Sequence, residues 1–256
     1  MTTVGSPAGG GATADQQYLA TVIAMLEAAA RDEAEPITAA ADAVASALGA
    51  GRWVHTFGTG HGHMLAEELF YRAGGTARVN PILVEELMLH AGAARSSLVE
   101  REPGLAASIL ADHPIGAGDV LIVASNSGGN RVVVELAGLA SSAGATVIAL
   151  TSLAHARSAG ARLVDGPRPH EIADIVLDNH GVPGDAVLEV PGLGASVAPT
   201  STVVGAGLLQ AVMARAVTAL VERGIDPEVF VSSNTRDGDN ANAALIDRYA
   251  ERVRAL

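Results

Sequence analysis

The sequence predicts an α/β domain whose parallel sheet is covered by helices on both faces. Two patterns predict it. Short apolar runs without polar alternation recur, the clearest being Val120-Leu121-Ile122-Val123-Ala124, and stretches of helical periodicity lie between them. A strand buried on both faces reads as a continuous apolar run, and strands alternating with helices build a parallel sheet. Composition agrees, since 49% of the 256 residues are hydrophobic and 17% are charged, enough for one packed core.

In chain order, residues 1–14 (MTTVGSPAGGGATA) read as a flexible tail, without the basic start and apolar stretch of a signal peptide. From Asp15 to about Leu48 the pattern is helical, with Leu19, Val22, Ile23 and Leu26 at i, i+3, i+4, i+7, and Pro36 divides it into two helices. Arg52–Phe57 reads as a strand, followed by a glycine turn and a helix from His63 to about Ala73 that Gly74-Gly75 closes. A second strand is expected over Val79–Val84 and a third at Val120–Ala124. A helix from Arg131 to Ala143 follows, stopped by Gly144, then strands Ala145–Leu150 and Ala173–Leu177. A long helix runs from Ser201 to about Arg223; Gln210 and Arg215 interrupt its apolar stretch, which reads as a core helix and not a membrane span. With no internal repeat and no long linker, residues 15–256 form a single domain with helical additions at both ends.

Several function classes are excluded or disfavoured. The net charge of −12 disfavours nucleic acid and anionic membrane as partners, and a cytoplasmic location is expected. No cysteine is present, which removes disulfides, thiolate metal sites and cysteine nucleophiles. Lysine is also missing, because all 16 basic residues are arginine, so Schiff-base chemistry and a Walker-type phosphate grip are excluded.

Ligands of open α/β sheets bind beyond the carboxyl ends of the strands, beside helix N-termini. Three segments place small polar residues at such points. Gly58-Thr59-Gly60-His61-Gly62-His63 follows the first strand; as a dinucleotide fingerprint it fails, because His63 stands where the third glycine is needed. Ser125-Asn126-Ser127-Gly128, followed by Gly129-Asn130, is more specific. Its two hydroxyls, one amide and backbone N–H groups at a helix N-terminus hold a phosphate without any cation, although serine and asparagine also cap ordinary helices. Pro199-Thr200-Ser201-Thr202 opens the long late helix, where its hydroxyls either cap the helix or touch the same anion.

Ser125-Asn126-Ser127-Gly128 after an apolar strand, paired with the earlier Gly-x-Gly turn, resembles the sugar isomerase (SIS) domain over residues 45–225. The resemblance implies a three-layer αβα architecture with a mainly parallel, flavodoxin-like sheet and extra helices at both ends. It also implies a phosphosugar ligand and no metal or organic cofactor. Ala66-Glu67-Glu68-Leu69 with Arg72 is similar to the helix of phosphoheptose isomerases and implies Glu68 as catalytic base. Ser201-Thr202, with Ala206-Gly207 and Gln210, resembles the N-acetylmuramic acid 6-phosphate etherases, but Val203 and Gly205 replace two basic residues of that motif. The fuller set, Phe57–His61, Ala66-Glu67-Glu68 with Tyr71–Gly75, Ser125–Gly128, Asp178-Asn179 and Pro199–Thr202, resembles a subgroup that includes N-acetylglucosamine 6-phosphate dehydratases. Gly62 stands where that subgroup usually has serine, which removes a hydroxyl from the first loop.

The acid–base candidates follow from position. Glu67 and Glu68, adjacent on a helix, diverge by about 100° and cannot both face one ligand. Arg72 pairs with Glu68 at i, i+4 or reaches across an interface. His61 and His63, even with His90, are weak evidence for a metal, and read better as neutral hydrogen-bond partners or an acid. Glu85 and Glu86, after the second strand, are further acids near the sugar. Glu33 reaches the site only if its helix packs over it. Glu100, Asp178 and Asn179 are either structural or line a neighbouring subunit's pocket. The resemblance implies an N-acetylhexosamine 6-phosphate as substrate, whose C2 proton would lie beside the acid–base groups and whose N-acetyl group at C2 favours elimination of water over isomerisation. An aldose–ketose isomerase and a non-catalytic phosphosugar sensor stay open as alternatives. The apolar helices at both ends exceed what one sheet covers, so a homo-oligomer of at least two chains is expected.

Overall fold

The protein is described here from a computed structural model covering residues 11–159 and 166–256. Of the expected tail, residues 1–10 lie outside the described residues, and the first helix, α1 (Ala14–Asp32), begins one residue earlier than its pattern suggested. α2 (Ala34–Gly49) follows a break at Glu33. Pro36 sits in the first turn of α2, where its missing N–H removes no helical bond, so the break falls three residues before the proline.

The chain then runs through β1 (Val54–Gly58), α3 (Gly62–Glu68) and β2 (Val79–Ile82), and through two 3-10 turns at Glu85–Leu87 and Leu89–Ala91. After them come α4 (Ala93–Val99), α5 (Leu105–Asp112), β3 (Val120–Ala124), α6 (Arg131–Ser142) and β4 (Thr146–Thr151). α7 (Leu153–Ala156), α8 (Pro169–Ile172) and β5 (Ile175–Asp178) complete the main sheet. The rest consists of β6 (Ala186–Glu189), β7 (Ser196–Pro199), α9 (Ser201–Glu222) and α10 (Gly238–Tyr249).

The main sheet is five-stranded and wholly parallel, in the order β2-β1-β3-β4-β5. Its strands alternate between two cores. Val120, Ile122 and Ala124 of β3 face α2 and α9, whereas Leu121 and Val123 face α5 and α6. Burial on both faces explains why β3 reads as an unbroken apolar run. α9 is long and apolar enough, by length and composition, to cross a bilayer. Here it packs on α2 and the sheet, with Val204, Leu208, Leu209, Val212 and Leu220 buried.

One expected element is shorter than its pattern. The helix predicted to reach Ala73 stops at Glu68, and Tyr71 turns the chain with φ +39°. The next segment pairs instead with the C-terminal region: Gly74 and Ala77 N–H donate to Phe230 and Glu228 carbonyls, and Phe230 N–H donates back to Gly75. A long-range partner outcompetes the local helix there. The small antiparallel β6–β7 sheet was not expected from the sequence. It is half exposed and so lacks a core pattern, and Tyr18 of α1 ties it down by an Oη–H bond to the Pro199 carbonyl at 2.9 Å.

In this order the strand sequence reverses between β1 and β3, so the segments following them leave on opposite faces and open a crevice at the carboxyl ends. Glycine makes the crevice wall possible. A Cβ on Gly58 would lie 2.4 Å from the Gly62 backbone, and one on Gly62 would lie 2.8 Å from the Ala124 carbonyl oxygen of β3. Replacing Gly58 with alanine should therefore destabilise the fold by about 1–3 kcal/mol, the range for overpacking a tight site. A urea midpoint equal to wild type would show that the loop yields freely.

Candidate functional site

A cavity of about 330 Å³ opens at this crevice. The loop after β1 contributes Thr59, His61 and Gly62, and the loop after β3 contributes Ser125, Asn126, Ser127 and Asn130. Pro199, Ser201 and Thr202 close it from the start of α9, and Asn179, Asp185 and His155 complete the lining. The three polar segments singled out in the sequence thus meet around one space. No lysine or arginine is among these lining residues.

The second loop presents its donors inward. The Ser125 and Ser127 Oγ atoms accept the Gly128 and Gly129 N–H groups at 3.2 and 3.3 Å, and neither hydroxyl proton is taken by these bonds. Gly128 makes the turn with φ +62°. Asn126 Oδ1 accepts from Asn179 Nδ2 at 2.9 Å, while Asn126 Nδ2 is buried without a partner. An unpartnered buried amide donor carries a desolvation cost that a ligand acceptor would relieve.

Three side chains tie the two loops together. Thr59 Oγ1–H donates to Glu100 Oε2 at 2.7 Å, and Asn130 Nδ2 donates at 2.8 Å to both Thr59 Oγ1 and Glu100 Oε2. A carboxylate only accepts, so the Thr59 proton is directed at Glu100 and its oxygen is left as an acceptor. Glu100 is therefore a strut of this chain's own crevice.

The acid–base candidates are dispersed. His61 stands at the cavity mouth. His63 is buried, with both ring nitrogens unpartnered, and burial pushes its pKa down to about 4. Glu68 does not line the cavity: Arg72 holds its carboxylate in an i, i+4 ion pair, and Gln210 Nε2 donates to its Oε1 at 3.0 Å. Gln210 lies nine residues along α9 from Ser201, a rise of about 13 Å. Glu67 is exposed on the neighbouring face of α3.

Glu86 is exposed and paired with Arg95 at 2.7 Å, outside the cavity, and Glu85 does not line it either. Glu33 does not line the cavity and is held at the end of β5: its Oε2 accepts the Asp178 N–H at 3.1 Å, and its Oε1 is 3.5 Å from His180 Nε2. Burial raises the Glu33 pKa despite these partners. Asp178 caps backbone, accepting the Leu153 and His180 N–H groups, whereas Asn179 reaches this chain's own cavity. Thr200 is buried beside the cavity with its hydroxyl unpartnered. Among the described residues, no three of histidine, aspartate and glutamate converge to hold a metal.

Sequence reasoning missed His155 and Asp185. His155 sits in the one-turn α7, with its backbone N–H capped by Ser152 Oγ at 3.0 Å and its Nδ1 unpartnered. Asp185, at φ +69°, accepts the N–H groups of Thr200 and Ser201 at 3.1 and 2.9 Å and the Ser201 hydroxyl at 2.6 Å. A single aspartate in a glycine-rich loop gives no sequence signal. Only the docking of the loop on α9 makes it part of the site.

The SIS domain profile matches residues 17–152. The chain belongs to the SIS-domain family, whose members bind phosphosugars, and within it to the UPF0309 proteins. A UPF0309 protein of Listeria innocua is 44% identical over 239 residues, covering 93% of this chain and 97% of the relative. A UPF0309 protein of Geobacillus thermodenitrificans is 42% identical over 240 residues, covering 94% and 96%. Among solved structures, Vibrio vulnificus NanR complexed with ManNAc-6P matches with TM-score 0.52 and 16% identity, covering 92% of this chain and 69% of that one. Phosphoheptose isomerase from Neisseria gonorrhoeae matches with TM-score 0.48 and 19% identity, covering 78% and 93%. The likeness to NanR shows the SIS fold, here with a five-stranded parallel sheet.

The buried imidazole of His63 has a measurable consequence. Its folded pKa lies below the ordinary value of 6.5, so between pH 6.5 and about 4 the unfolded chain binds a proton that the folded chain does not. Stability should fall with pH across that window, by up to about 1.4 kcal/mol per pH unit from this group. His63→Gln should flatten the decline by that amount in urea unfolding followed from pH 7 to 4. An unchanged slope would mean that His63 protonates freely in the folded chain.

Proposed function

We propose that this SIS domain binds the phosphate of a hexosamine 6-phosphate in the crevice and eliminates water from the sugar. The observation that carries the binding half is the cluster of neutral donors after β3 that faces the crevice: the Ser125 and Ser127 hydroxyls and the orphaned Asn126 amide. Converging neutral donors at helix N-termini suit a phosphate dianion. NanR, which shares the fold, was solved with a ligand of this class.

For the reaction, the open-chain sugar exposes a C2 proton made acidic by the C1 aldehyde. A base removes it, an enolate forms, and the C3 hydroxyl leaves as water with a proton from an acid, giving a 2,3-unsaturated aldehyde. The 2-acetamido group leaves no C2 hydroxyl for simple aldose–ketose exchange, which favours elimination. Among the described residues, the titratable groups lining the cavity are His61, His155 and Asp185, and His61 at the mouth is the proposed base. Glu68, the base implied by family resemblance, would need its carboxylate released from Arg72 and Gln210 and brought to the sugar. A second reading, a phosphosugar sensor, shares the binding half and lacks turnover.

Incubation with N-acetylglucosamine 6-phosphate in D2O tests the proposal by mass spectrometry. A product lighter by one water is expected, and recovered substrate deuterated at C2; tight binding without either would make the protein a sensor. Ser127→Ala should weaken binding by about 1–3 kcal/mol, the cost of a lost hydrogen bond to a charged group, and an unchanged Kd would remove Ser127 from the site.

His61→Asn should lower kcat by about 10²–10⁴-fold, the usual contribution of a general base, with binding retained. Loss of C2 exchange in Glu68→Gln but not in His61→Asn would assign the base to Glu68 instead. The proposed homo-oligomer is supported by Leu19 and Ile23, each more than half exposed on α1. A monomeric mass at micromolar concentration would overturn it.

A further inference from the structure

The cavity has two chemically different ends. At one end the Ser125 and Ser127 hydroxyls and the Asn126 amide have donors to give. At the other, the head of α9 looks by sequence like a second anion seat, with Ser201 and Thr202 at the start of a 22-residue helix. That seat is already filled. Asp185 Oδ1 takes the Thr200 and Ser201 N–H groups at 3.1 and 2.9 Å, and its Oδ2 takes the Ser201 hydroxyl proton at 2.6 Å.

Two consequences follow from elementary hydrogen-bond chemistry. A carboxylate carries no proton to give, so Ser201 must be the donor in their short bond, and its oxygen faces the cavity only as an acceptor. A phosphate placed beside Asp185 would meet like charge and find the Thr200 and Ser201 N–H groups engaged. Asp185 and Ser201 together therefore form an acceptor-only surface on the cavity wall, suited to O–H and N–H groups of a ligand and hostile to its phosphate.

We infer that Asp185, with Ser201, is the specificity-determining element of the site: it reads hydroxyl and amide donors on the sugar and forces the phosphate to the Ser125–Ser127 end. The left-handed φ of +69° at Asp185, uncommon for a residue other than glycine, belongs to the turn that brings this carboxylate onto α9. This inference rests on the phosphosugar reading above, and it sets the direction in which the sugar lies in the cavity.

The test compares two probes by calorimetry: inorganic phosphate, and N-acetylglucosaminitol 6-phosphate, whose reduced C1 leaves no acidic C2 proton and hence no turnover. In Asp185→Asn, the ratio of the sugar-phosphate Kd to the phosphate Kd should rise by about ten- to a hundred-fold, as expected for losing a bond to a charged acceptor. A rise below ten-fold overturns the inference. Ser201→Ala retains the two backbone bonds to Asp185, so it stays folded if Asp185→Asn does not. It should raise the same ratio while leaving the phosphate Kd unchanged. If Ser201→Ala weakens inorganic phosphate as much as Ser127→Ala does, Ser201 donates to the anion and the inference fails. Wild-type protein that binds neither probe overturns the phosphosugar reading and this inference with it, whereas wild-type binding with an unmoved ratio overturns the inference alone.

Discussion

The hydrogen-bonded triangle of Thr59, Glu100 and Asn130 holds the site's two loops to one another. Thr59 follows β1 and Asn130 precedes α6, and these segments diverge at the reversal of strand order. Left alone, diverging loops would splay. Glu100, arriving from the end of α4, accepts from both at 2.7 and 2.8 Å and fixes their spacing. The glycine contacts beneath set how closely the first loop lies against β3: Gly62 approaches Ala124 so nearly that a side chain would not fit. Gly62, with no side chain, thus permits tight closure between β1 and β3.

Carboxylates organise this cavity more than cations do. Glu100 and Asp185 lie at separate places around it, and each takes the proton of a hydroxyl from one of the polar segments that the sequence singled out, Thr59 in one case and Ser201 in the other. A third carboxylate, Glu33, lies outside the cavity lining, beside His180, with its pKa raised by burial. Donor and acceptor roles along the wall are therefore set by which hydroxyls have a carboxylate neighbour, a pairing that joins segments from 41 residues apart (Thr59 and Glu100) down to 16 (Asp185 and Ser201).

The elements differ in how far local pattern determines them. β3 and α6 have the bounds their residues suggest, within a residue, because burial on both faces and a simple amphipathic stripe leave no competing arrangement. α3 does not. Its sequence is helical to Ala73, yet the chain leaves the helix at Glu68 to pair with Glu228–Phe230, a partner some 150 residues away. That early end leaves Glu68 between Arg72 and Gln210, away from the cavity.

By itself the sequence determined the layer architecture, the positions of the parallel strands and the three polar segments that meet at their carboxyl ends. Each of these is a local property, written in apolar runs, helical spacing and glycine turns. Tertiary structure alone decided which hydroxyls donate and which accept, that Glu68 and Glu86 stand outside the cavity, and that Asp185 and His155 stand inside it. The physical reason is common to all of these: a side chain's hydrogen-bonding role depends on the nearest charged group in space, and here that group comes from a different element of the chain.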